Sequence, residues 1–162
     1  MSSYAANALG KARAVATATR ALALADDSGI EVDALGGYPG VLSARYGGEQ
    51  LGDDERCAEL LRQLRGVPPE RRTARYRCVV ALSSPSGEEA TAEGVVDGIL
   101  LSEPRGSDGF GYDPLFYYPP LAATFAEIPP DAKHAVSHRG RAIAEARRLL
   151  LDWSARSAGD PA

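Results

Sequence analysis

The sequence predicts a single α/β domain built on a mixed sheet. Three observations carry that expectation. Segments with helical apolar spacing occur at both ends and near the middle of the chain. Residues 74–82 alternate in strand fashion and return through a short turn. No linker, internal repeat or low-complexity tract divides the 162 residues. The composition agrees, with 44% hydrophobic and 25% charged residues.

The elements follow in order. Residues 5–18 read as a helix with Leu9, Ala12, Val15 and Ala16 on its buried face, despite Gly10 inside it. This opening carries Arg and no acid, yet it makes better sense as a core helix than as a transit peptide. Leu22-Ala23-Leu24-Ala25 reads as a buried strand that delivers Asp26 and Asp27 to a loop. Ile30-Glu31-Val32 is a second extended piece, and residues 36–40 are a turn. Asp53 is placed to cap a helix whose stripe is Cys57, Leu60, Leu61 and Leu64, stopped by Gly66 and Pro68-Pro69. In the strand over 74–82, Tyr76, Cys78, Val80 and Leu82 share the one well-buried face. Residues 88–101 form its antiparallel partner. Residues 104–120 read as ordered loop with a short strand at Leu115-Phe116. The last helix covers 137–152, capped by Ser137, with Ala142, Ile143, Ala146, Leu149, Leu150 and Trp153 turned inward. The domain is expected over 1–153, with 154–162 a frayed, disordered tail.

Composition also excludes function classes. A net charge of -4 argues against broad binding to nucleic acid, while leaving room for a small anion held by local cations. No apolar run approaches the roughly 18 residues of a membrane helix. Cys57, Cys78 and two histidines have no zinc-site spacing; the cysteines read as reduced core thiols in a cytoplasmic protein. No Walker-type phosphate loop, dinucleotide fingerprint or serine nucleophile elbow occurs.

Three clusters remain that bear chemistry. Asp26-Asp27-Ser28-Gly29 suits a hard cation such as Mg²⁺, with one acid taking a proton from an attacking water; it equally suits a solvated turn. Gly109-Phe110-Gly111-Tyr112-Asp113-Pro114 presents an aromatic between glycines, a surface for stacking on a purine, with Asp113 free to accept from the base; it also fits a stapled turn. Lys133 with Ser137-His138-Arg139-Gly140 gathers cations and a helix start suited to phosphate, or else a routine charged helix end.

Their order and surroundings are more specific than any one of them. Leu24 through Gly37, Pro39-Gly40-Val41 and Ser43-Ala44-Arg45-Tyr46 form one block; Glu103-Pro104-Arg105-Gly106 with residues 109–114 forms a second. Lys133 with Ala135 through Gly140 forms a third. Together they resemble the signature blocks of the inosine/xanthosine triphosphate pyrophosphatase family, along nearly the whole chain. The resemblance implies an elongated mixed sheet flanked by helices, two lobes around a nucleotide cleft, and a homodimer. It implies hydrolysis of inosine, deoxyinosine and xanthosine triphosphates to a monophosphate and pyrophosphate, with Mg²⁺. Asp27 matches the family's catalytic acid and metal contact, with Asp26 beside it at the metal. Ser28, Phe110, Gly111, Tyr112, Asp113, Lys133, His138 and Arg139 match substrate contacts.

The sequence departs from the family pattern in three places. That pattern begins further upstream, with a strand and a TGNxxK-like phosphate loop. It has Glu before Asn7, where this chain has Ala6. It has Gly-Leu-Pro where this chain has Arg20-Ala21-Leu22. The resemblance thus implies a chain without the family's N-terminal segment. The alternative to a working enzyme is a homologue that binds purine nucleotides without efficient turnover.

Overall fold

The computed structural model describes residues 3–158, with side chains described as far as Ser154. Its nine main elements are α1 (Tyr4–Thr19), β1 (Ala23–Val32), α2 (Asp53–Gln63), β2 (Thr73–Ser83), β3 (Glu89–Leu100), β4 (Phe116–Tyr118), β5 (Ala123–Thr124), α3 (Pro130–Val136) and α4 (His138–Ala158). The strands make one sheet in the order β1-β2-β3-β4-β5. The α/β class is as expected. Every pairing among the described strands is antiparallel, so the parallel component of a mixed sheet is not seen in this part of the chain.

The longest pairings set the frame. β1 runs against β2 from Ala23 opposite Ser83 to Val32 opposite Ala74. β2 then runs against β3 from Thr73 opposite Ile99 to Ser83 opposite Glu89. α1 covers one face of β1 and β2, while α4 covers β2 and β3. β2 is therefore buried on both faces rather than one. Val79 and Ala81 pack against α1, and Cys78 and Val80 pack against Ala142 and Ala146 of α4. At the other end of the sheet, Ile30, Val32, Tyr76 and Phe116 join Leu60 of α2 and Leu64 at its C-terminal cap in the largest core cluster.

Several expectations are corrected. The DDSG tetrapeptide is the middle of β1, not a loop after a short strand. Leu22 and Leu24, expected in a buried strand, are about half exposed at 49% and 51%. Leu22 lies just before β1 and Leu24 near its start, in a strand that among the described residues is first in the sheet. α1 buries Tyr4, Ala8, Ala12 and Ala16, a stripe at successive i+4 positions, and leaves Val15 exposed. Alanine lets the helix lie close to the sheet, a choice that raw hydropathy ranks below Leu and Val. Gly52 holds the cap position of α2 and Asp53 is its first residue. The capping contact is Glu55, which accepts from the Gly52 N–H at 2.7 Å. Ile143, expected to face inward, is exposed. α3, started by Pro130, lies between the loop over 104–120 and the last helix, in a stretch for which the sequence suggests no element. α4 continues to Ala158, past Trp153 where the domain is expected to end, and residues 159–162 of the expected tail lie outside the described residues.

Candidate active site

β1 brings the two acids to the site by strand alternation. Successive side chains of a strand point to opposite faces, so Asp26 and Ser28 face α4 while Asp27 faces α1. On the α4 side, Arg139 donates from Nε and an Nη to Asp26 Oδ2 at 3.1 and 3.0 Å, and to Ser28 Oγ at 3.3 Å. On the α1 side, Asn7 Nδ2 donates to Asp27 Oδ2 at 2.9 Å, and Lys11 Nζ to Asp27 Oδ1 at 3.1 Å. Each acid thus has a cation supplied by its own helix, which is how adjacent carboxylates coexist in one strand. It also means that Asp26 and Asp27 do not converge as the paired metal ligands expected from the sequence. Both nonetheless line one cavity of about 420 Å³.

The glycine-rich block forms another wall of that cavity. Phe110 is 57% exposed, as expected of a stacking residue. Lys133 Nζ sits 4.7 Å from its ring centroid and the Arg139 guanidinium 5.5 Å, both within cation–π range. A smaller cavity of about 250 Å³ adjoins, and Phe110, His138 and Arg139 line both. The rest of the block behaves differently from the expectation. Asp113 is 2% exposed; its Oδ2 accepts from the Phe110 N–H at 2.9 Å and pairs with Lys133. It anchors the loop and the lysine rather than offering a free acceptor to a base. Gly109, with φ +80°, makes the turn possible, because a Cβ there would collide with the Asp113 carboxylate. Tyr112 is buried and its hydroxyl donates to Ser43 O at 2.8 Å, so the phenol braces the chain after β1 instead of facing a ligand. Gly111 donates its N–H to Asp53 Oδ2 at 2.6 Å, which ties the same loop to α2.

His138 opens α4 and is 5% exposed. Its ring stacks on Tyr76 with centroids 4.6 Å apart and planes 10° from parallel. Burial, reinforced by the neighbouring Arg139 and Lys133 charges, pushes its pKa down from 6.5 to about 3, so the ring is neutral at ordinary pH. Its Nδ1 is buried with no partner among the described residues. Ser137 accepts from the Gly140 N–H at 3.1 Å, the cap that was expected. Gly94 of β3 lets this helix start lie against the sheet, since a Cβ there would meet the backbone of His138 and Ala142. Burial raises both thiols, Cys57 to about 11 and Cys78 to about 12, so both stay protonated core groups, free and buried as expected.

The structure therefore brings Asp26, Asp27, Ser28, Phe110, Gly111, Tyr112, His138 and Arg139 to one cavity, while Lys133 lines the adjoining one with Phe110 and Asp113 is the buried partner of that lysine. Sequence reasoning missed Lys11, Asp53 as a loop anchor, Arg56 and Tyr76, which share the cavity. Lys11 had a signal: it follows Asn7 by four residues on α1, the spacing that puts two side chains on one helical face.

Comparison with known proteins gives the chain's relatives. A dITP/XTP pyrophosphatase of Desulforamulus reducens is 53% identical over 147 residues, covering 91% of this chain and 73% of the relative. Another, from Geobacter sulfurreducens, is 56% identical over 138 residues, covering 85% and 69%. Among solved structures, the Ham1 protein of Staphylococcus aureus superposes with a TM-score of 0.88 at 39% identity, covering 94% of this chain and 78% of that one. A HAM1 protein from Coxiella burnetii gives the same TM-score at 41% identity, with the same two coverages. The family profile of Ham1 matches residues 1–149, and the chain belongs to the Ham1 family.

Proposed function

We propose that this chain hydrolyses non-standard purine nucleoside triphosphates, those of inosine, deoxyinosine and xanthosine, to the monophosphate and pyrophosphate. One observation carries the reading: a single cavity joins an exposed aromatic ring at Phe110 to a carboxylate held by an amide and an ammonium at Asp27. The family relatives bearing the name dITP/XTP pyrophosphatase support it.

In this reading the purine stacks on Phe110, with Lys133 and Arg139 near its edge. Both of those side chains are donors only, so they favour a purine carrying a 6-oxo acceptor over one carrying an amino group. The buried Nδ1 of His138, without a partner among the described residues, lies at the same end. Asn7 and Lys11 fix Asp27 in one orientation while leaving lone pairs on both oxygens. Asp27 takes the proton of a water that attacks the α-phosphorus, and the pyrophosphate leaves. Ser28 and Arg139 orient the phosphates beside it.

Mg²⁺ belongs to this proposal as the metal that the resemblance implies. Mg²⁺ is commonly held by one or two carboxylates with substrate phosphates and water. Asp27, 20% exposed at the cavity, fits that donor role. Asp26 fits it less well, because Arg139 already engages its Oδ2 twice. Bound there, the ion supplies charge neutralisation on the phosphates. A homodimer and a cytoplasmic setting complete the reading, the first checked by light scattering and the second supported by two free buried thiols. No nucleic acid or membrane partner is proposed; no helix among the described residues is long and apolar enough to cross a membrane.

The test is pyrophosphate release from inosine triphosphate by the parent and by Asp27→Asn. The variant keeps the size but loses the base, which typically costs 10²–10⁴-fold in rate, about that much being expected here. Parent-like turnover by the variant assigns the proton transfer elsewhere.

A further inference from the structure

Arginine buried for structural reasons has its donors satisfied, and this protein supplies the example. Arg72 donates to the carbonyls of Val67 at 2.9 Å, Leu64 at 3.2 Å and Leu101 at 3.5 Å. Arg56, in the first turns of α2, is a contrast. Its side chain is only 12% exposed. Among the described residues its one hydrogen bond is to Asp53 Oδ1 at 3.4 Å, long beside the 2.7–2.9 Å usual for charge-assisted pairs. Its Nε is buried with no partner among the described residues. Asp53 is a loose counterion, since its side chain is 51% exposed and its other oxygen accepts from Gly111.

The guanidinium carries five N–H donors and no acceptor. Arg56 has one of them, on Nε, buried without a partner among the described residues, which is costly unless something returns the lost hydrogen bond. Arg56 lines the same 420 Å³ cavity as Lys11 and Arg139. Those two cations are committed, Lys11 to Asp27 and Arg139 to Asp26 and Ser28. Arg56 is the cation of this cavity with the least commitment to protein acceptors. Its planar fork matches the paired oxygens of a phosphoryl group.

We propose that Arg56 is a substrate-binding residue of the cleft, and that it takes oxygens of the polyphosphate tail from the α2 wall. This rests on the proposed nucleotide hydrolysis for the identity of the tail, but the anion site is testable without turnover. Arg56 then does two things: it offsets charge on the tail, and through Asp53 and Gly111 it links tail occupancy to the loop that carries Phe110. The purine end and the phosphate end of the cleft are thereby bridged by one short chain of contacts.

The experiment is titration calorimetry of the whole chain with two probes, inorganic tripolyphosphate and inosine, using the parent, Arg56→Met and Arg56→Lys. Tripolyphosphate reports the tail alone and inosine the base and sugar alone. Losing a charge-assisted hydrogen-bonding group should weaken tripolyphosphate roughly ten- to a hundred-fold in Arg56→Met. Inosine affinity should stay within about twofold, and Arg56→Lys should recover part of the loss by restoring the charge without the fork. Arg56→Gln replaces the methionine variant if that one fails to fold. Unchanged tripolyphosphate affinity overturns the proposal. So does an equal loss for both probes, which would make Arg56 a brace for the Phe110 loop. If the parent fails to hydrolyse inosine triphosphate but Arg56→Met still weakens tripolyphosphate selectively, the proposed reaction falls and the anion site stands.

Discussion

At the scale of single residues, burial separates the side chains offered to a ligand from those that hold the offering in place. Phe110 is 57% exposed and touches cations, whereas Asp113 and Tyr112, from the same loop, are 2% and 3% exposed. Phe110→Ala should therefore cost little stability, about the 0.5–1 kcal/mol of an exposed cation–π contact, and far less than the about 3–5 kcal/mol of a buried Phe. Nucleotide affinity should fall in the same variant; thermal melts and a binding titration check both halves. His138 makes a pH prediction. Its folded pKa lies below its unfolded one, so the unfolded chain binds a proton that the folded chain refuses. Its contribution is complete above pH 6.5 and is lost as pH falls from there toward about 3. His138→Phe keeps a stackable ring without a titrating group. Calorimetric melting temperatures should fall less steeply with acidification in that variant than in the parent. Equal slopes would assign the acid sensitivity to other groups.

At the scale of elements, the position of the site was more legible than its geometry. DDSG, GFGYDP and SHRG were all identified as chemistry-bearing, and the structure places residues of all three on one cavity. The sequence puts the acids in a loop because the apolar run over 22–25 stops at Asp26, and Asp is depleted in strands. What overrides that propensity is a pairing register of ten residues with β2 and a cation from each flanking helix. None of those partners is near Asp26 or Asp27 in sequence, with Arg139 113 residues away from Asp26. The partners of Tyr112 and Asp113 were hidden for a related reason. An aromatic and an acid beside glycine suit a ligand site, but the acceptor for Tyr112 is Ser43, 69 residues earlier. α2 was legible because its stripe is clean, and α1 only in extent, because its buried stripe is alanine. The contact between β3 and α4 gives the prediction at this scale. Gly94→Ala puts a methyl against the backbone of His138 and Ala142, where a flexible side chain cannot yield. It should destabilise the protein by about 1–3 kcal/mol, as overpacking does, and lower activity by shifting His138 and Arg139. A denaturant melt and a turnover assay on the same preparation check it.

At the scale of the whole molecule, one sheet carries the site between helices from opposite ends of the chain. α1 supplies Asn7 and Lys11, α4 supplies His138 and Arg139, and β1 passes between them with its acids divided across its two faces. The mild net charge of -4 hides this local concentration of cations, which is why composition alone excluded polyanions in bulk but not a small anion. The central claim is that this cleft cleaves a nucleotide between its α- and β-phosphates. The most direct measurement is product analysis of inosine triphosphate turned over by this chain with Mg²⁺, resolving the monophosphate, diphosphate, pyrophosphate and phosphate. The account predicts monophosphate and pyrophosphate in equal amounts, with no diphosphate at any time. Diphosphate with free phosphate, or no product from a folded chain that contains Asp27, would contradict it.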